Sequence, residues 1–491
     1  MAGLYGADVG QLGNLAEQLS KSSAMLEAAR TALTNQLNGS TEWKGSDADR
    51  YRATWNREHR ALLNQVILGL AAAGKSVRAN ADEQEKASAD SGGFGGPKFA
   101  AGTGRPTIPQ DLPPAEQIGT RRNPDPGTAN LSQDEVQRLK ELVDKAGDAN
   151  NFWMGNDRDV TALRDALGKL RPAQLNQFLE SLTDEQLRTL AGGAAQDGKG
   201  ILEWQGTTPF ERQALLDQLL SKASPEQVER IKALFPFAQP NAEAGGDAAR
   251  AAADSRKGQA VTFKNPAGGL GSGSYQEVHQ QGYGDCGTMA TLAALAKSDP
   301  GFVSSHISDN GNGTVSVKLY DSDGHEQWVT VTKDLPTQDG HHYKGANGGG
   351  NMDDANAANW PGYFEKAFAQ VYNDDSDGYH PGEYRAIEGD FPDKLAPYFT
   401  GTKPEVLDGA DATWGAVAEG KTVVVSTSVP SPDDHGRNPG LVGAHVFFVK
   451  GTDASGNIVL GNPWGGAEND VSISRDDYKK YCTQGAVVNH K

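Results

Sequence analysis

A seam at spacings of three and four, apolar but for one serine, runs near the start of the chain: Leu12, Leu15, Leu19, Ser22, Leu26, Ala29 and Leu33. This spacing predicts one long helix over residues 6–38, with a seam that packs on another helix. Gly39-Ser40-Thr41-Glu42-Trp43-Lys44-Gly45-Ser46 breaks the pattern, and Ser46 is a helix-capping residue type. A second helix is expected from about 47 to 86, with Tyr51, Trp55, Leu62, Val66 and Leu70 on or near one face. The two make an antiparallel all-α hairpin over residues 1–90, bent at Trp43-Lys44-Gly45. The pattern then lapses. Residues 91–130 carry Ser91-Gly92-Gly93-Phe94-Gly95-Gly96-Pro97 and Pro106, Pro109, Pro113, Pro114, Pro124 and Pro126. Such a composition buries too little apolar surface to fold alone, so this is a linker.

Helical signals return over residues 131–236. Ser132-Gln133-Asp134-Glu135 reads as a capping box ahead of Val136, Leu139 and Leu142. Arg171-Pro172, Thr183-Asp184-Glu185-Gln186 and Ser224-Pro225 open further short amphipathic helices. An all-α middle domain is expected, a spacer or a docking module with no chemistry of its own. A second linker, rich in Ala, Gly and Asp, is expected over 237–272. From 273 to 491 the pattern is mixed. Thr288-Met289-Ala290-Thr291-Leu292-Ala293-Ala294-Leu295-Ala296 is a helix former. Gly313-Thr314-Val315-Ser316-Val317-Lys318-Leu319 alternates as a strand does. Asp339 to Gly350 reads as a flexible loop. Its His341-His342, with Asp353-Asp354, are better taken as solvated than as metal ligands, because adjacent loop residues make a poor tetrahedral site.

The candidate chemistry sits at three places in this last segment. Gln280-Gln281-Gly282-Tyr283-Gly284-Asp285-Cys286 is a glycine-rich turn that delivers one cysteine to the start of the predicted helix. A thiol there lies near the positive end of the helix dipole, which favours the nucleophilic thiolate. Gln280 brings an amide to where an oxyanion would form. A lone cysteine is more often a small buried hydrophobe, but two later stretches change the balance. His445 lies in Gly443-Ala444-His445-Val446-Phe447-Phe448-Val449, a predicted strand. Asn462 ends a second strand, Ile458-Val459-Leu460-Gly461, and is followed by Pro463-Trp464-Gly465. A nucleophilic thiol needs a base, and the base needs a group to orient it. Cys286, His445 and Asn462 supply the three in the order found in papain-like proteases. Trp464 is expected to screen the His445–Asn462 hydrogen bond from water.

Composition narrows the picture. The chain has 491 residues, room for two to four domains. With 46 basic against 64 acidic residues the net charge is −18, which excludes a general nucleic-acid binder. The two cysteines, Cys286 and Cys482, cannot form a disulfide framework; Cys482 reads as a partly buried structural thiol. The longest apolar run, near Val66 to Ala73, is too short to span a bilayer. The N-terminus lacks the basic and apolar regions of a Sec signal peptide.

Taken together, the three stretches resemble the catalytic domain of the calpain family of papain-like cysteine proteases. That family carries a Gln-Gly-x-x-Gly-Asp-Cys-Trp turn, a Gly-His strand and an Asn-Pro-Trp-Gly strand end. Trp360-Pro361-Gly362-Tyr363-Phe364-Glu365-Lys366-Ala367-Phe368, Tyr384-Arg385-Ala386-Ile387-Glu388-Gly389 and Trp328 to Pro336 resemble further segments of it. The likeness spans roughly residues 265–485. It implies an α+β domain of two lobes over 273–491, a mainly helical one with Cys286 and a mainly β one with His445 and Asn462. It implies a cysteine endopeptidase acting on protein substrates, with no cofactor in the chemical step. Calcium, which the family binds in its protease core, is left open: Glu277 fits one such position, with no full ligand set. Three departures stand out: Gly287 in place of Trp, Gln281 in place of Gly, and Ala444 between Gly443 and His445.

Residues 1–90 are similar to the WxG-motif family of type VII secretion substrates of Gram-positive bacteria, which implies a helical-hairpin partner. No Tyr-x-x-x-Asp/Glu export signal follows the second helix. The order hairpin, spacer, enzyme resembles bacterial polymorphic toxins, which implies secretion, with an immunity protein as a further partner; without export the place is the bacterial cytoplasm. Two alternatives stay open: a transglutaminase- or deamidase-like acyl transferase, and a non-catalytic secreted scaffold with a degenerate protease domain.

Overall fold

The computed structural model describes residues 122–123, 125–148, 157–195, 207–242, 261–338, 342–348, 351–373, 380–428 and 440–489, with scattered positions before 122. The chain divides into two compact units, Met1–Ile108 with Gly198–Gln205, and Pro109–Asp197 with Gly206–Lys491. The helical hairpin expected over 1–90 lies, but for scattered positions, outside the described residues, as do most of the linker over 91–130 and His341. The second unit mixes helices and antiparallel sheets.

Its helical part starts where side chains can cap. Helix α1, Gln133–Gly147, opens on a complete Ser132–Glu135 capping box. Helices α2 (Asp157–Gly168), α3 (Pro172–Glu180) and α4 (Asp184–Ala194) follow, the last capped by Thr183. Helix α5, Pro209–Leu220, has its own Thr208–Glu211 box, and α6, Pro225–Leu234, is capped by Ser224. Each such cap meets backbone N–H groups that the first helical turn leaves without partners. Leu163, Leu175, Leu179, Leu187, Leu215, Leu216 and Ile231 form a closed apolar core between them.

Helix α5 is buried on both sides because it also packs on the C-terminal part. Asp217, on α5, accepts from Thr330 Oγ1 at 2.6 Å and pairs with Arg122, whose guanidinium lies 4.3 Å from the Trp328 ring centroid. Asn312 Nδ2 donates to the carbonyls of Leu220 and Ala223. The middle helices and the C-terminal segment therefore share one compact unit. The stretch expected as a linker over 237–272 also contributes a strand to this unit.

That strand, β1 (Val261–Lys264), pairs with β5 (Leu335–Gln338), which pairs with β6 (His342–Tyr343). A second small sheet runs β2 (Ile307–Asp309), β3 (Thr314–Tyr320), β4 (Glu326–Thr332). The central helix is α7, Cys286–Ser298, whose first eleven residues are all buried. A helix that is apolar all round belongs in a core. It is surrounded by α8 (Phe302–His306), α9 (Trp360–Val371) and α10 (Pro392–Thr400). The remainder builds a six-stranded antiparallel sheet in the order β11 (Val471–Ile473), β10 (Ile458–Gly461), β9 (Val446–Thr452), β8 (Val423–Thr427), β12 (Cys482–Val487), β7 (Glu405–Leu407). Helices α11 (Gly409–Ala418) and α12 (Arg475–Tyr481) close one face of it.

Candidate active site

Cys286 is the first residue of α7 and is 8% exposed. The turn that leads into it is held from two directions. Gly284 N–H donates to Glu388 Oε1 at 2.8 Å, and Gly389 N–H donates back to the Gly284 carbonyl at 3.0 Å. Gly282 N–H donates to the Lys344 carbonyl at 2.9 Å. Gln280 Nε2 donates to the Tyr283 carbonyl at 2.9 Å, which fixes its amide inside the turn, while its Oε1 is buried without a hydrogen-bond partner. The Gln280 side chain also faces the buried Asp285 carboxyl and helps to hold its acidity against the rise caused by burial.

His445 immediately precedes β9 and Asn462 immediately follows β10, so the pairing of these two strands brings them together. His445 Nε2 and Asn462 Oδ1 are 3.0 Å apart, and Asn462 Oδ1 also accepts from Trp464 N–H at 3.1 Å. With Asn462 presenting its carbonyl oxygen, Nε2 is the protonated nitrogen of a neutral imidazole. Thr427, at the end of β8, anchors the His445 backbone: its hydroxyl accepts from His445 N–H, and its own N–H donates to the His445 carbonyl at 2.8 Å. Ala444 has φ +51°, the one non-glycine residue at positive φ among the described residues. The Trp464 ring lies 5.1 Å from that of His445 and is 44% exposed, so it covers one side of the His445–Asn462 pair and leaves its outer face in solvent.

The nucleophile segment and the Asn462 segment touch directly. Gln280 N–H donates to the Pro463 carbonyl at 2.8 Å. The His279 ring packs under Gly465, where a Cβ would come within 2.1 Å of it.

Cys286, Gln280, His445 and Asn462 all belong to this unit, and their anchoring elements are joined by the contacts above. Cys482 is elsewhere, at the start of β12; it is half-buried, makes no disulfide with Cys286, and burial pushes its thiol up to about 12.

Sequence reasoning missed an acidic group under the turn. Asp285 and Glu365, on α9, are both 1% exposed. Burial pushes Asp285 up to about 7, and the charge of Glu388 adds to the rise. Burial and the nearby Asp285 charge drive Glu365 well above the usual carboxylate range. The two carboxyls face each other side chain to side chain, and this contact offsets part of the rise at Asp285 while adding to that at Glu365. The signal available in sequence was the Asp directly before Cys286, which reads there as turn chemistry alone.

Both Glu277 carboxylate oxygens accept from N–H or O–H donors, and the nearby Gly268 and Gly269 carbonyls accept from the Asn359 amide. Among the described residues the one cluster of three metal-ligand side chains is Asp321, Asp323 and His325, in the β3–β4 turn. There Asp321 Oδ1 accepts from the Asp323 and His325 N–H groups and caps its own turn.

Compared with protein-family models, with curated proteins and with solved structures, the chain matches none of them.

Proposed function

We propose that the protein is a cysteine endopeptidase with a papain-like, two-lobed catalytic domain, in which Cys286, His445 and Asn462 form the triad. The observation that carries this reading is the His445 Nε2–Asn462 Oδ1 contact of 3.0 Å, buried and joined through Pro463 to the Gln280 backbone. With Nε2 engaged by Asn462, proton exchange with the thiol falls to Nδ1. The imidazole takes the Cys286 proton and leaves a thiolate–imidazolium pair. The sulfur attacks a peptide carbonyl, and the negative oxygen is met by the Cys286 backbone N–H and the Gln280 amide. The imidazolium protonates the leaving amine. Water then hydrolyses the thioester with His445 as the base. Asn462, being neutral, holds the ring in one orientation without adding charge to it.

Incubating the chain with a denatured protein mixture and sequencing the newly formed N-termini tests this. New termini that vanish with Cys286→Ala support peptide-bond hydrolysis. Glutamine-to-glutamate conversion or cross-linking without new termini would replace it with acyl transfer. The order of segments in the sequence, a WxG-like hairpin ahead of the enzyme, supports an exported effector or toxin; confinement to the cytosol of cells with an active type VII system would rule that out.

A further inference from the structure

We propose that Glu277 is a positioning residue which holds the nucleophile-bearing lobe in its working arrangement by hydrogen bonds alone, so that this chain needs no calcium there. The proposal rests on the protease reading above. Glu277 lies three residues before Gln280, and both of its carboxylate oxygens are surrounded by donors. Oε1 accepts from the Ser272 N–H at 2.9 Å and from the Ser272 hydroxyl at 2.8 Å. Oε2 accepts from the Gly273 N–H at 3.0 Å and from the Trp360 indole N–H at 2.9 Å.

The main-chain oxygens beside it are used in the same way. The Gly268 carbonyl accepts from Asn359 Nδ2 at 2.8 Å, the Gly269 carbonyl from Asn359 N–H at 3.1 Å, and the Leu270 carbonyl from Trp360 N–H at 3.1 Å. A calcium ion takes six to eight oxygen ligands at about 2.3–2.6 Å. Here a cation would have to displace these donors and face the indole and backbone N–H groups it had displaced. Trp360 is fully buried, so its N–H would then be left without a partner, a costly outcome. The loop also lies tight against its neighbours, with room for glycine alone at two positions. A Cβ on Gly268 would come within 2.0 Å of the Ala357 carbonyl oxygen, and one on Gly271, at φ +93°, within 2.9 Å of Glu277 Oε2.

Both ends of this clamp lead to the site. On one side, His279 and Gln280 follow Glu277, with the Gln280 N–H on Pro463. On the other, Trp360 starts α9, which carries Glu365 beside Asp285, the residue before Cys286. A carboxylate with four protein donors thus does by hydrogen bonding what a bound cation does by coordination in a loop of this kind.

Two measurements on the full chain test it. First, thermal unfolding is followed in chelator and in millimolar calcium. The clamp predicts the same midpoint in both, and a lower midpoint for Glu277→Gln in both. A calcium-dependent rise that Glu277→Gln abolishes would overturn the proposal. Second, the rate of Cys286 alkylation by an irreversible thiol-protease probe is followed in the same two conditions. Equal wild-type rates, and a rate at least about tenfold lower in Glu277→Gln that calcium does not restore, fit a charge-assisted anchor worth roughly one to two hydrogen bonds. A wild-type rate in folded Glu277→Gln overturns the positioning role. Should that variant fail to fold, Ser272→Ala removes a single donor and is expected to slow labelling by about threefold; an unchanged rate counts against the proposal. If wild-type Cys286 resists the probe in both conditions while folded, the protease reading fails, and the thermal measurement still decides between clamp and calcium.

Discussion

The Gln280 N–H donates to the Pro463 carbonyl at 2.8 Å. One hydrogen bond thus joins the residue proposed to hold the oxyanion to the residue next to Asn462. Because the His445 ring is held by Asn462, the same contact links the orientation of the base to the turn that carries the nucleophile.

Removing Asn462 leaves the His445 ring without its acceptor and takes away the partner of the Trp464 N–H. Asn462→Ala is expected to lower the alkylation rate of Cys286 by about 10- to 100-fold, the scale of a hydrogen bond to a group that becomes charged. The fold should persist, since Asn462 follows β10 rather than filling the core. Stopped-time labelling read by intact mass measures the rate, and circular dichroism checks the fold.

The buried acids set a pH dependence of stability. Asp285 titrates at about 7 in the fold against about 4 when unfolded, raised by burial first, with Glu388 adding to it; Glu365, on α9, shifts the same way. A raised acid binds its proton more tightly in the folded state. Its stabilisation is therefore complete below about pH 4 and is lost as pH rises towards and through about 7. Asp285→Asn cannot ionise. Its denaturation midpoint should fall less than that of the wild type between about pH 5 and 8. Parallel curves for the two proteins would show that Asp285 is not the group responsible.

Gly287 has a steric reason. A Cβ there would approach the Asp390 carbonyl oxygen to 2.4 Å and Leu395 Cδ1 to 2.7 Å. The loop carrying Glu388, Gly389 and Asp390 thus sits where a side chain after the cysteine would project, and a glycine is what fits there. Gly287→Ala is expected to cost about 1–3 kcal/mol in chemical denaturation, the range for overpacking a closed interior. Gly287→Trp should not give soluble folded protein. A neutral Gly287→Ala would mean that the loop yields freely.

Ala444 holds the left-handed backbone region directly before His445. That conformation costs a residue with a Cβ about 1–2 kcal/mol, while glycine loses about 0.5–1 kcal/mol through chain entropy. Ala444→Gly is therefore expected to raise stability slightly, by about 0.5–1 kcal/mol, as read from the urea midpoint. A clear loss of stability would show that the Ala444 methyl is held by favourable packing.

Much of this was legible in the sequence because it is local. The helix after Cys286, the strand around Val315 and Val317, and the caps at Ser132, Thr183 and Ser224 follow from short-range pattern and side-chain chemistry. The features that short-range pattern does not show depend on distant packing. Helix α5 is buried on both sides, so its apolar positions do not fall on one stripe, and Asp217 looks like a surface charge until Thr330 and Arg122 meet it. Strand β1, Val261-Thr262-Phe263-Lys264, does alternate, but four residues amid Ala, Gly and Asp are too few to stand out from a linker; pairing with β5 makes the strand. The two-residue β6 lies in a stretch expected as a flexible loop for the same reason. The acidic pair Asp285 and Glu365 is separated by 80 positions in the chain and becomes a pair only when α9 packs beside α7.

The central claim is that His445 activates Cys286. The measurement that tests it most directly is covalent labelling of Cys286 by an irreversible thiol-protease probe, followed against pH and mapped by peptide mass. A single adduct is expected on Cys286 and none on Cys482, whose thiol burial pushes up to about 12. Labelling is expected to persist well below the ordinary thiol range and to fall by at least about 100-fold in His445→Ala. Labelling of folded His445→Ala at the wild-type rate, or an adduct on Cys482 in preference to Cys286, would contradict the claim.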